Sequence, residues 1–116
     1  MKEAIWVGSS LRDLKALPAI VRRNLGFAIQ IAQEGGQHPK AKPLKGFGSA
    51  GVVEVVEDHA GSTYRGVYTV KFAHAVYVLH VFQKKSKRGI ATPKKDIEMI
   101  RARLAIAQTL YKEEHE

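Results

Sequence analysis

The spacing of apolar positions changes halfway along the chain, from a helical period to a strand period. Ala4–Val7 is a short apolar run that breaks at Gly8-Ser9-Ser10, which predicts a strand running into a loop. Ser9 or Ser10 then offers a side-chain cap for a helix over Leu11–Leu17, with Leu11, Leu14 and Leu17 toward one face. Pro18 interrupts that helix and suits the first turn of a second one. From Pro18 to about Glu34, Ile20, Val21, Leu25, Ala28, Ile29 and Ala32 recur at helical spacing, and Gly35-Gly36 stops the run. The two segments predict an antiparallel helical hairpin. Gln37–Gly51, rich in Gly, Pro and Lys, predicts a loop.

Beyond it the period is two. Val52–Glu57 reads as a strand, Asp58–Ser62 as a turn and Thr63–Phe72 as an alternating strand. Tyr64, Gly66, Tyr68, Val70 and Phe72 are expected on one face, with Arg65, Val67, Thr69 and Lys71 on the other. Ala75–Phe82 is apolar on both faces, as in a central strand covered from both sides. Gln83–Thr92 is polar and basic. Thr92-Pro93 then predicts a helix start, Thr as cap and Pro at the first helical position. Ile97, Ile100, Leu104, Ala107 and Tyr111 form the inward stripe of that helix, which runs to about Lys112. The order is β-α-α-β-β-β-α. It implies an α+β fold with a twisted, mainly antiparallel sheet, an N-terminal helical hairpin and a C-terminal helix. No repeat or linker divides residues 1–116, so a single domain is expected.

Composition narrows the class. The apolar fraction of 45% is enough for a core. The longest apolar stretch, Ala75–Phe82, is broken by His80 and is far short of the ~20 residues a bilayer span needs. Lys2 and Glu3 precede an early break at Gly8, which argues against a secretion signal, so a cytoplasmic protein is expected. Without cysteine there are no disulfides and no thiolate metal sites.

Charge adds direction. Nineteen Lys and Arg against eleven Asp and Glu leave a net charge of +8, which points to a polyanionic partner. Glu113, Glu114 and Glu116 lie in the tail, so the remaining body is more basic still. Lys84, Lys85, Lys87 and Arg88 follow the central strand directly, and Lys94 and Lys95 open the last helix. Lysines at a helix N-terminus oppose the macrodipole, an arrangement that suits a bound anion. Arg65, between Tyr64 and Gly66 on a half-buried strand, must either pair with a carboxylate or face an open groove. Glu54 on the neighbouring strand is the partner available for the first, and a phosphate suits the second. His80 lies among Val78, Leu79 and Val81, where a hydrogen-bonded core histidine is the ordinary outcome. His38, His59, His74 and His115 show no metal-ligand spacing, and Gly46–Gly51 lacks the Lys-Ser/Thr of a phosphate loop. Tyr64, Tyr68, Phe72 and Tyr77 are placed either to fill the core or to stack bases.

Three segments carry a resemblance: Lys42-Pro43-Leu44-Lys45-Gly46-Phe47-Gly48, Tyr64-Arg65-Gly66-Val67-Tyr68, and His80-Val81-Phe82-Gln83-Lys84-Lys85-Ser86-Lys87 ending in Thr92-Pro93. Together with the element order they resemble the RelE/ParE toxin superfamily, and most nearly its HigB-like, phage-derived branch. The likeness covers nearly the whole chain. It implies the toxin of a type II toxin–antitoxin pair, a metal-independent endoribonuclease that cuts messenger RNA, commonly on the ribosome, and inhibits translation. The implied partner is a helix-turn-helix antitoxin, with no cofactor and no membrane. Arg65 matches the strand arginine that contacts the scissile phosphate, and Lys84 and Lys85 match the basic pair at the end of the last strand. Lys45, Lys71, Lys87, Arg88 and Lys94 are candidates for gripping RNA, and His80 is the candidate for proton transfer.

The pattern is not followed throughout. Glu54 and Val56 stand where RelE carries lysines, and no tyrosine occurs between Tyr77 and Tyr111. The residues thus supply charge stabilisation and leave the general base unassigned. A ParE-like inhibitor of DNA gyrase, or an RNA-binding module of the same fold without catalysis, are the alternative readings.

Overall fold

A computed structural model describes residues 1–84 and 91–116. Along the chain run β1 (Glu3–Trp6), α1 (Ser10–Lys15), α2 (Ala19–Gln33), β2 (Lys42–Pro43), β3 (Val52–His59), β4 (Ser62–Thr69), β5 (Ala75–Lys84) and α3 (Lys94–His115). The strands form one sheet in the order β1-β5-β4-β3-β2. β1 pairs with β5 in parallel, and every other pairing is antiparallel. The α+β architecture is the one the sequence implies.

β5 lies inside the sheet, between β1 and β4, and has apolar side chains for both faces. Val76, Val78 and Val81 join Leu14 of α1 and Val21, Leu25 and Ala28 of α2 in one core layer. Tyr77 and Leu79 join Ile100, Leu104 and Ala107 of α3 in the other. Gly66 on β4 keeps the first layer tight, since a Cβ there would lie 3.3 Å from Leu25.

Several details depart from the sequence reading. The expected loop over Gln37–Gly51 contains the two-residue strand β2, where Lys42 faces Glu54 and Pro43 faces Val53. A proline is tolerated there because β2 is the sheet edge and has no ladder bond to donate on its outer side. Ser9 heads α1, but its hydroxyl donates to the Asp13 carboxylate at 2.7 Å and does not cap the backbone. Pro93, rather than Thr92, occupies the cap position of α3. Phe72 packs with the α3 layer, opposite to the face that strict alternation assigns it. Strand β4 ends at Thr69, so the alternation no longer governs Phe72.

The departure that matters most is a β-bulge in β5. Val67 pairs with His80 and Tyr68 with Val78, so Leu79 is an extra residue on that strand. Leu79 and His80 therefore both lie on the α3 side, and the alternation restarts one residue out of phase. Phe82 and Lys84 follow His80 onto that face, beside Arg65 and Thr63, their direct partners on β4.

Candidate functional site

The α3 face near the end of β5 carries two polar clasps. In the first, Arg65 Nη1 donates to both oxygens of Glu54, at 3.0 and 3.1 Å, and to Thr92 Oγ1 at 3.1 Å. Thr92 in turn donates to Glu54 Oε2 at 2.8 Å. Arg65 is 4% exposed and the Glu54 side chain 13%, so the pair is held largely out of water. Of the two environments open to Arg65 from sequence, the carboxylate pair is the one realised. In the second clasp, His80 Nε2 lies 2.8 Å from Asp96 Oδ1, in the first turn of α3. The imidazole stacks on Phe82 with ring centroids 4.5 Å apart, and its Nδ1 is buried without a hydrogen-bond partner among the described residues. The bond to Asp96 fixes ring orientation and favours a proton on Nε2.

Register relates the clasps. Glu54 pairs with Val67, and Val67 with His80, so the carboxylate and the imidazole lie on one face in one row, about 10 Å apart at two strand spacings. Arg65 stands beside that row on the middle strand. Lys84 is only 7% exposed and lies on the same face across from Thr63. Next to His80 opens a cleft of about 680 Å³ between α1, the end of β5 and the start of α3. Phe82, Lys84, Pro93 and Lys95 are among the residues that line it.

The remaining sequence candidates do not all gather here. Lys94 is exposed in the first turn of α3, near the clasps. Lys71 lies beyond the far end of β4, six residues and about 20 Å of strand from Arg65, and donates to Ser49 O at 2.6 Å. Lys45 is exposed in the same region, since its neighbour Leu44 bonds to Val52 O at the start of β3. Both belong to a different part of the surface from Arg65. Lys85, Lys87 and Arg88 fall outside the described residues.

Sequence reasoning missed Asp96 and the true role of Thr92. Each carries an ordinary local explanation, first-turn acid and helix cap, that hides a partner 16 or 38 residues away. It also missed Arg103, buried in α3, which donates to Leu79 O at 2.9 Å and to Ser9 Oγ at 3.1 Å. Gly8, at φ +59°, makes room for this guanidinium, since a Cβ would lie 2.8 Å from its atoms. Among the described residues no group of three or more His, Asp or Glu could hold a metal ion, and no helix is long and apolar enough to cross a membrane.

The sheet order and the helices on its two faces define a mixed-sheet α+β domain, and comparison with known proteins places that fold among RelE-type domains. Over 91% of this chain and 96% of the other, the fold is similar to that of the free-state Escherichia coli toxin RelE carrying two arginine-to-alanine substitutions, at 16% identity and a TM-score of 0.55. The family described as "Phage derived protein Gp49-like (DUF891)" matches residues 12–105. The chain belongs to that Gp49-like family, within the RelE/ParE superfamily. No curated protein matches it in sequence.

Proposed function

We propose that this protein is the toxin of a type II toxin–antitoxin pair and acts as an endoribonuclease on messenger RNA. The family and the RelE-type fold support the toxin component. The observation that carries the catalytic reading is the shared face of Glu54, Arg65 and His80 on three adjacent strands.

Cleavage of RNA by its own 2′-hydroxyl needs a base for that hydroxyl, positive charge for the phosphorane and an acid for the departing 5′-oxygen. Glu54 is the base in this reading, which fills the role that sequence left open. Arg65, with Lys84 beside it, stabilises the phosphorane. The scissile phosphate takes the place of the Glu54 carboxylate on Arg65, because a guanidinium binds either anion in the same geometry. His80, oriented through Nε2 by Asp96, is the proton donor to the 5′-oxygen in this reading. The 2′-oxygen thereby forms a bond to phosphorus as the P–O5′ bond breaks, leaving a 2′,3′-cyclic phosphate and a 5′-hydroxyl. Side chains supply every group, so the reaction is expected to survive chelators. Lys94 extends the positive surface along which the RNA runs, and Lys85, Lys87 and Arg88 stay RNA-gripping candidates on their sequence alone, while Lys45 and Lys71 lie far from the scissile bond. The ribosome as the place of action and a helix-turn-helix antitoxin as the silencing partner complete the proposal.

The test is induction of wild type, Glu54→Gln and His80→Ala in cells, with 5′-hydroxyl transcript ends mapped and each variant's melting temperature measured. Wild type is expected to generate new ends, and both variants to lose them by 100-fold or more, on the order of general acid–base contributions. Growth arrest through DNA damage without new ends would sink the nuclease reading. The three bonds that tie Arg65 Nη1 to Glu54 and Thr92 favour one competing reading, a binding protein of the same fold. In that case wild type and both variants would arrest growth equally.

A further inference from the structure

We propose that the cleft between α1 and the first turn of α3 is a base-reading subsite for guanine, with Asp13 as the reading residue. This rests on the reading of the chain as a protein that acts on RNA, and it adds which nucleotide the site selects. The cleft touches His80, so a base seated in it belongs to a nucleotide next to the scissile phosphate.

The walls suit a single unstacked base. Leu17 and Ala16 come from the α1 side, Phe82 from the strand and Pro93 from the start of α3, giving apolar surfaces for a ring. The volume of about 680 Å³ lies within the range of small-ligand clefts. Lys95 at the rim is placed for a phosphate.

Two carboxylates line the cleft in a protein of net charge +8; Asp96 is engaged by His80 through Oδ1, and selectivity falls to Asp13. Asp13 lines the cleft and is held in place by a relay that starts at the buried Arg103. Arg103 is anchored on Leu79 O and donates to Ser9 Oγ, and Ser9 donates to Asp13 Oδ2. Asp13 Oδ1 takes no hydrogen bond among the described residues. The relay runs from the residue beside His80 to Asp13, tying the reader to the catalytic row. A fixed carboxylate accepts two parallel hydrogen bonds, and of the four RNA bases only guanine offers two adjacent N–H donors, N1–H and N2–H, on one edge. Adenine and cytosine offer one amino group beside an acceptor that repels the second oxygen, and uracil offers one imide N–H between two carbonyls. A bidentate pair of this kind discriminates by on the order of tenfold or more.

The experiment is titration of the ¹⁵N-labelled protein with each of the four nucleoside 3′-monophosphates, for wild type, Asp13→Asn and Ala16→Trp. Melting temperatures verify that each variant is folded. The expected result is that 3′-GMP moves the amide signals of Ala16, Leu17 and Lys95 and binds at least tenfold more tightly than 3′-UMP. Asp13→Asn should bring the four nucleotides to similar affinity, and Ala16→Trp, which fills the cleft, should abolish the shifts for all of them. Equal binding of the four by wild type, or 3′-GMP shifts that persist in Ala16→Trp, would overturn the proposal. So would the absence of any nucleotide shift at the cleft, which leaves that surface to a protein partner. RNA cleavage measured in parallel separates the two readings. Guanine selection without cleavage keeps the subsite and removes the nuclease, and cleavage without selection does the reverse.

Discussion

The bonds that hold Arg65 in the fold are the ones a phosphate would have to replace in the proposed reaction. Its guanidinium is buried against Glu54 and Thr92, so removing it strands a carboxylate that is itself mostly buried. Breaking such a pair from one side costs about 3–5 kcal/mol, a large share of the ~5–15 kcal/mol that holds a domain folded. Loss of activity in Arg65→Ala alone therefore says little about catalysis. A double-mutant cycle in urea resolves this. Arg65→Ala should lose about 3 kcal/mol, and the Glu54→Gln/Arg65→Ala double variant distinctly less than the sum of the two singles, because the orphaned charge is gone. Additive losses would mean that the two residues do not depend on one another. The Arg65–Glu54 pairing was legible from their adjacent strands in the sequence. That Thr92 joins it was not, because serine and threonine ahead of a proline read as a helix cap whether or not they cap anything.

At the scale of elements, the hairpin between β3 and β4 turns through Ala60 and Gly61, at φ +50° and +81°. Both central residues at positive φ fit the turn that matches strand twist, and Gly61 adopts it freely. Ala60 does so at a cost of ~1 kcal/mol, because its Cβ crowds the following carbonyl. Ala60→Asn, which tolerates that region better, should raise the melting temperature by about 4 °C in a calorimetric scan. No rise would mean that the turn is already relaxed. The bulge in β5 has the larger consequence. An unbroken alternation would send His80 toward α2, away from Arg65 and Asp96. Because Ala75–Phe82 is apolar on both faces apart from His80 itself, no second polar position marks where the phase slips, and the face of His80 could not be read from the pattern. Pairing with Tyr68 and Val67 on β4 decides it.

For the whole molecule, stability rests on two apolar layers that share one sheet. Tyr68 sits in the layer beneath α2, and burial pushes its hydroxyl up to about 12 from the usual 10. Tyr77, in the other layer, is raised as well, first by burial and then by Glu114, Tyr111 and Glu3. A raised phenol pKa means that only the unfolded chain ionises readily. Its contribution is whole below pH 10 and falls as pH climbs from 10 toward 12, by on the order of 2 kcal/mol for Tyr68. Alkaline denaturation followed by circular dichroism should show this loss, and Tyr68→Phe should flatten the curve between pH 10 and 12. An unchanged curve would show that the hydroxyl is not what burial penalises.

The sequence by itself determined the fold class, the family and the order of every element except the two-residue strand β2, because hydrophobic period, proline and glycine act within a few residues of where they stand. It also carried the net charge, which belongs to composition alone, and it brought forward Arg65, Lys84 and His80 as residues of interest. Only the tertiary structure decided which of these share a face. It separated Lys45 and Lys71 from Arg65 and supplied Asp96 and Thr92 from the start of α3. Through Arg103 and Ser9 it also linked Asp13 to the same region. Each of those relations spans tens of residues and depends on strand register, and register is set by the packing of the whole sheet rather than by any local signal.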